Sequence, residues 1–424
     1  MKLKLPSLVS NLVDRVRTSL WFVPALAMVG ALVLAGISLR VDAATGKKTL
    51  SALPGIDRVG VETAQTILST LVGSLMTVIG VVFSITVVSL TLASSQFGPR
   101  LLRNFLRDRV TQLCFAALLG TFLYSLVVFV AIGGQDDQRF VPEISLAAAV
   151  LMAVGSVGVV SYFVHHVGAG IQVSSVVASV ADELAGTVES LFPEPIGQPS
   201  EDRPADRDVI RAALAVPGVA TVAAKRGGYL RVVRTELLMD LAAKHDLVID
   251  LLVRPGAFLV AGLPVMRAVG RRGEPAPAAA VDELAGTLIT GTERTSVQDL
   301  EFPFDQLVEV ALRALSPGIN DPRTAINCVD RIGEAIARLS GRRFPSDVRC
   351  DEDGEPRVLA PIVSFGALLR TGFVRIARAA RRAEAREVTA AIGRALRRVA
   401  TVTEDVGRRR LSAGLARELA GRRE

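Results

Sequence analysis

Four long apolar runs dominate the first 166 residues of the chain. The first, Leu20–Leu39, contains no charge and has the roughly 20 residues that a helix needs to cross a hydrocarbon core about 30 Å thick. It is too long for the apolar stretch of a cleaved leader, and three more runs follow, so it reads as a retained helix. Pro24 falls in its first turn, where a missing N–H costs little, and Trp21 sits where an interfacial anchor belongs. The second run, Thr63–Pro99, is 37 residues without an ionisable side chain. As one helix it would measure about 55 Å at 1.5 Å per residue, longer than a bilayer core is thick, so it must tilt or project into water. Thr111–Gly133 and Ile144–Val164 complete the set, the last closed by His165 and His166. The pattern predicts a four-helix transmembrane domain over residues 1–166, with spans at about 20–39, 64–95, 111–133 and 144–164.

Beyond residue 166 the apolar periods shorten. Residues 167–208 read as a connecting helix, Val173–Leu191, and a polar, Pro-rich linker that starts at Phe192-Pro-Glu-Pro. Residues 209–300 carry strand signals and predict a small β-rich subdomain. Val219–Ala224 and Tyr229–Val233 flank Gly227-Gly228, a pair suited to the positive φ angles of a two-residue hairpin. Thr235–His245 follows as an amphipathic helix, Leu247–Val253 as a strand, and Ala257–Ala268 as a second strand interrupted at Gly262. The stretch from Pro255 to Val265 resembles the repeated turn of small barrel-sandwich domains such as lipoyl carriers, but lacks their carrier lysine, so the likeness is one of shape. Residues 301–424 read as helical. Phe304–Leu315 puts apolar residues 304, 307, 308, 311, 312 and 315 on one face. Asp321–Leu339 is a second helix, and Asp351-Glu-Asp-Gly354 turns between short extended pieces. Helices over Ile362–Arg382, Ala383–Thr401 and Thr403–Arg422 finish the chain. The expected fold is an α-helical polytopic membrane protein with an α+β domain, its β-rich part followed by a helical bundle.

Charge supplies an orientation. The N-terminus and the connection between the second and third runs (Arg100, Arg103, Arg107, Arg109) hold eight Lys/Arg, against five in the other two connections. That positive-inside bias predicts a basic membrane surface at Arg100–Arg109, both termini in the cytoplasm, and a cytoplasmic location for everything after residue 165. Residues 165–369 hold 21 basic and 28 acidic side chains, whereas residues 370–424 hold 15 and 6. Of the 49 basic residues 43 are Arg, a bias a GC-rich coding sequence produces by itself, so total basicity says little. Three cysteines exclude a disulfide framework, and half the residues being apolar excludes disorder.

The second run carries the most regular pattern. Thr63, Thr70, Thr77, Ser84 and Thr91 recur every seven residues, beside a seam of Thr66, Gly73, Gly80, Val87 and Ser94. Such a face either lines a permeation path in a homo-oligomer or packs helices closely, as small residues do in membranes. A second candidate is the polar segment containing Arg294, Asp299, Asp305, Glu309, Asn320 and Asp321. Its carboxylates could bind a cation or small ligand, but Gly318, Asp321 and Pro322 suit a helix end, an N-cap and a first turn, which explains the turn without a ligand. His165 and His166 point about 100° apart on a helix and have no Cys or carboxylate at ligand spacing, so an interfacial structural role is expected. No metal centre and no cofactor are expected. The sequence has no GxxxxGK[ST], GxGxxG or GxSxG, and Asp351-Glu-Asp-Gly354 lacks the remaining ligands of a calcium loop. The basic C-terminal helices lack interleaved aromatics, so nucleic acid is not an expected partner.

Four segments extend these readings: Leu92–Asp108, Tyr162–Val167, Leu252–Gly256 and Phe304–Pro322. They resemble the bacterial membrane protein family called domain of unknown function 2254, over nearly the whole chain. The resemblance implies a multi-span inner-membrane protein with a cytoplasmic domain and brings no activity or functional residues with it. The chain departs from the expected pattern at Pro322-Arg-Thr324, where an apolar residue would stand between Pro and Thr. The functional expectation is a homo-oligomeric channel or transport-related protein, its second helix lining the path and its cytoplasmic domain regulating it. The alternative is a non-conducting scaffold or sensor whose cytoplasmic domain binds a partner or small ligand. No nucleophile–base pair can be assembled, so an enzyme is not expected.

Overall fold

The computed structural model describes residues 21–45, 60–97, 108–132, 141–170, 172–191, 198–199 and 204–421. The chain divides into two compact units, Met1–Gln172 and Val173–Glu424.

Among its described residues the first unit has four apolar helices: α1 (Phe22–Thr45), α2 (Val61–Phe97), α3 (Arg109–Ala131) and α4 (Glu143–Gly170). Each is long and apolar enough to cross a membrane. Helix α3 is central and packs on the other three. Its closest partner is α1, because Ala27, Ala31 and Ala35 present one strip of small residues and Gly120 faces it. A Cβ at Gly120 would already touch the Ala27 carbonyl at 3.7 Å. The strip continues through Ser38 to Asp42, so α1 runs past the expected end at residue 39. Helix α2 is unbroken over 37 residues, the long element the uncharged run predicts, and buries least of the four.

The second unit begins with α5 (Val173–Leu191). Read as a connector, α5 instead seats Val176, Val177, Val180, Leu184 and Val188 in the core and packs against α9 and α10. Next come β1 (Gln198–Pro199), α6 (Pro204–Ala213), β2 (Ala220–Ala223), β3 (Gly228–Val233) and α7 (Thr235–Lys244). Then follow β4 (Leu247–Leu251), β5 (Phe258–Leu259), β6 (Pro264–Gly270), α8 (Ala278–Ala285) and β7 (Leu288–Gly291). The helices α9 (Glu301–Ala314) and α10 (Pro322–Ser340) precede a hairpin of β8 (Val348–Cys350) and β9 (Pro356–Leu359). Helices α11 (Phe365–Arg382), α12 (Arg386–Val402) and α13 (Val406–Gly421) close the chain.

One sheet has the order β1-β8-β9-β4-β6-β2 and the other β5-β3-β7. Ile210 of α6 and Leu214 just after it join Val248, Val269, Val348 and Cys350 in one apolar cluster with the larger sheet. A larger cluster joins Ile249, Met266 and Val358 of that sheet to Leu230 and Leu259 of the smaller one and to Leu238 and Leu284 of α7 and α8.

Two expectations about this region are corrected. The β-rich part does not end at residue 300: β8 and β9 return from between two helices, and β9 pairs in parallel with β4. The strands flanking Gly227-Gly228 do not form a hairpin, since β2 pairs with β6 and β3 pairs with β5 and β7. The glycines serve a crossing between sheets. Gly228 has φ +136°, and a Cβ there would sit 2.8 Å from the Gly291 carbonyl oxygen. The interruption at Gly262 is a second crossing, from β5 to β6, with φ +83°.

Candidate functional site

Helix α2 packs on the rest of its unit through Ala64, Leu68, Leu75 and Val82. Thr63, Thr70, Thr77, Ser84 and Thr91 lie on the opposite side, about half a helical turn away, and all five are exposed. Thr66, Gly73, Gly80 and Val87 are exposed beside them. Nothing lies within 4 Å of a Cβ built at Gly73 or Gly80. Close packing inside the protomer therefore does not account for the small residues of this face. Several hydroxyls are satisfied locally: Thr66 donates to the Glu62 carbonyl at 2.8 Å, Thr70 to Thr66 at 2.8 Å, Thr77 to Gly73 at 3.1 Å and Thr91 to Val87 at 2.9 Å. Their protons are thus taken up by the helix, and what they present outward is oxygen lone pairs.

The polar segment of the second unit resolves into two separate places. At the start of α9, Arg294 forks onto Asp299 through Nε at 2.8 Å and Nη2 at 3.1 Å, and reaches Asp305 through Nη1 at 2.7 Å. Arg375 approaches the other Asp305 oxygen at 3.6 Å, Arg254 pairs with Glu301, and Arg294 also lies 5.4 Å from the Phe302 ring centroid. Asp299 and Asp305 thus hold an internal guanidinium, a structural clamp rather than an open cation site. Asp299 is 3% exposed. Burial pushes its carboxyl above the usual range, against the opposing pull of Arg294. Burial likewise raises Glu301, with Arg254 opposing. Glu309 sits further along α9 and is half-buried.

Asn320 and Asp321 lie beyond the other end of α9 and form a turn. Asn320 has φ +46° and donates its N–H to the Ser316 carbonyl at 2.9 Å. Asp321 caps α10, accepting from Thr324 N at 3.1 Å and Thr324 Oγ1 at 2.5 Å. Among the described residues no group of three or more His, Cys, Asp or Glu is arranged to hold a metal ion.

At the first unit's helix ends, His166 Nε2 lies 3.0 Å from Asp108 Oδ2 and its ring stacks on Tyr162. Asp108 is the N-cap of α3, accepting from Val110 N and Thr111 N. A carboxylate therefore does stand beside the histidine pair, supplied from 58 residues away. Arg109 opens α3 and is exposed; Arg100, Arg103 and Arg107 lie outside the described residues.

One network has no counterpart in the sequence reading. The buried Asp42 carboxylate of α1 accepts from Ile144 N and Ser145 N, each at 2.9 Å, and from Ser145 Oγ at 2.6 Å. Ser145 Oγ and Tyr124 OH each lie 2.9 Å from Ser38 Oγ. Asp42 thus caps α4 from another helix and ties α1, α3 and α4 together. Its position on the Ala27–Ala31–Ala35–Ser38 strip was the available signal.

The family model described as predicted membrane protein (DUF2254) matches residues 17–398. The chain belongs to this family. Uncharacterized proteins of Mycobacterium bovis and Mycobacterium tuberculosis are each 32% identical to it over 376 residues, 87% of this chain and 69% of theirs. No solved structure matches. Family membership agrees with the four apolar helices and assigns no activity to the α2 face.

Proposed function

We propose that this family member is a homo-oligomeric channel-like protein of the bacterial inner membrane, with its termini and second unit in the cytoplasm. In this reading the α2 faces of neighbouring copies meet and line a path, and the second unit regulates it; no catalytic role, cofactor or nucleic-acid partner is assigned. The observation that carries the reading is the seam Thr63, Thr70, Thr77, Ser84 and Thr91, which is exposed and opposite the packing face of α2. Its period of seven matches a left-handed crossing between copies. Because Thr70, Thr77 and Thr91 donate to their own helix, the seam offers acceptors, which suit a cation.

Purified protein in liposomes should conduct a monovalent cation, and Thr77→Leu with Ser84→Leu should reduce that flux at least tenfold. An oligomer with no cation or anion flux would reject the channel. A second reading then stands on the same hydrogen bonds: the internally satisfied Thr70, Thr77 and Thr91 also permit close, dry packing, so the assembly would be a non-conducting scaffold or sensor. Oligomer size in the Leu variants separates the two, since packing predicts dissociation and lining alone does not.

A further inference from the structure

The crossings between the two sheets create a surface that the α2 reading does not use. Residues 224–227 lie against residues 259–263: Ala224 N donates to the Leu263 carbonyl at 2.9 Å, and Gly262 N donates to the Ala224 carbonyl at 2.9 Å. The paired loops end in large apolar side chains that the fold leaves outside. Phe258 is 62% exposed, Val260 50% and Leu263 56%. Leu252 is exposed on the strand end that is hydrogen-bonded to Val265. Phe258 is held by Tyr229, edge to face at 5.1 Å, and by the pairing of β3 with β5. The apolar tip is therefore fixed by backbone hydrogen bonds with its side chains displayed. Lys225 and Arg226 are exposed on the first of the two paired loops. The carboxylate facing them is Asp282, which Lys225 engages at 2.7 Å.

Solvated apolar residues scattered singly need no explanation, but a group of them on one pair of joined loops does. Exposed apolar side chains beside a cationic loop match the composition of a bilayer interface, where acyl chains meet anionic headgroups. Among the described residues four helices are long and apolar enough to cross a membrane, so a bilayer accompanies the chain at high effective concentration. The geometry points to the loop pair 224–227 and 258–264 as a peripheral membrane-docking surface that inserts Val260 and Leu263 into a leaflet containing anionic lipid. The inference rests on membership of the membrane-protein family and is independent of conduction.

Val260→Cys places a single environment-sensitive fluorophore on the tip of the full chain, because all three native cysteines are buried. In nanodiscs of phosphatidylcholine and phosphatidylglycerol the emission should shift to the blue and be quenched by lipids spin-labelled on the acyl chain. The same label on Glu352→Cys, in the exposed turn between β8 and β9, should remain solvated. Arg226→Glu should reduce quenching at Val260→Cys severalfold. A blue shift without lipid quenching means another protein surface covers the tip and overturns the proposal, as does an unshifted spectrum. Quenching that is unchanged in Arg226→Glu, or equal in pure phosphatidylcholine, overturns the anionic-lipid assignment.

Discussion

Gly256 occupies a left-handed backbone position at φ +90°, and a Cβ there would overlap Asp299 Oδ2. Gly262 is also left-handed, at φ +83°, but a Cβ would meet nothing within 4 Å. The two separate backbone strain from steric overlap. Gly262→Ala should cost about 1–2 kcal/mol for the backbone alone, and Gly256→Ala a further ~1–3 kcal/mol because a buried ion pair must move. Chemical denaturation of the full chain in detergent measures both, and equal losses would mean that the Asp299 contact is not rigid. The clamp itself has a sharper test. Asp299→Ala leaves the Arg294 guanidinium half-buried without its bidentate partner and should lose about 3–5 kcal/mol. Replacing both, Arg294→Met with Asp299→Leu, should lose less than the single change. A double replacement worse than Asp299→Ala would show that the pair contributes more than mutual neutralisation.

Individual elements show which information is local and which is not. The helix α10 announces itself: Asp321 and Pro322 supply cap and first turn, and the carboxylate does accept from Thr324. The hydrogen bond from Thr324 holds the Asp321 carboxyl below the usual carboxylate range. A depressed folded pKa stabilises the protein above the unfolded value near about 3.9. That contribution is lost as pH falls through the folded value. Asp321→Asn keeps an acceptor but cannot titrate, so hydrogen exchange at the first turn of α10 should lose part of its acid sensitivity. Asp321→Ala should open the same turn by about 1 kcal/mol at neutral pH. If Asn and Ala behave alike, the cap is not what holds the turn. The four apolar helices were equally legible, because a bilayer-length uncharged run has few other uses. Strand pairing was not. Gly227-Gly228 has hairpin composition, yet β2 and β3 enter different sheets, and β9 finds β4 across more than a hundred residues. Partner choice depends on which faces the distant helices cover, and no local pattern encodes that. Arg294 and Asp299 belong to the polar segment that the sequence singles out, but only the fold joins them in a closed pair. Asp42 was missed because its partners, Ile144 and Ser145, stand a hundred residues away.

At the scale of the whole molecule, charge and hydroxyl placement divide the labour. The excess of arginine after residue 370 is partly answered within the second unit: Arg375 approaches Asp305 at 3.6 Å and Arg398 approaches Asp330 at 3.5 Å. These exposed pairs contribute little stability each. The first unit instead leaves unanswered a continuous small-residue face on its longest helix. If copies meet there, Gly73→Leu and Gly80→Leu should shift the oligomer toward monomer in native mass spectrometry from mild detergent, because side chains added at both positions would hold the helices apart. The most direct test of the account is aqueous access to that face during conduction. Thr77→Cys, in a chain whose own cysteines are buried, is treated with a cationic thiol reagent while cation flux is recorded in liposomes, with Phe83→Cys, exposed but off the seam, as the comparison. Modification of Thr77→Cys should block flux and modification of Phe83→Cys should not. A Thr77→Cys that is unreactive, or that reacts without any change in flux, would contradict a path lined by α2.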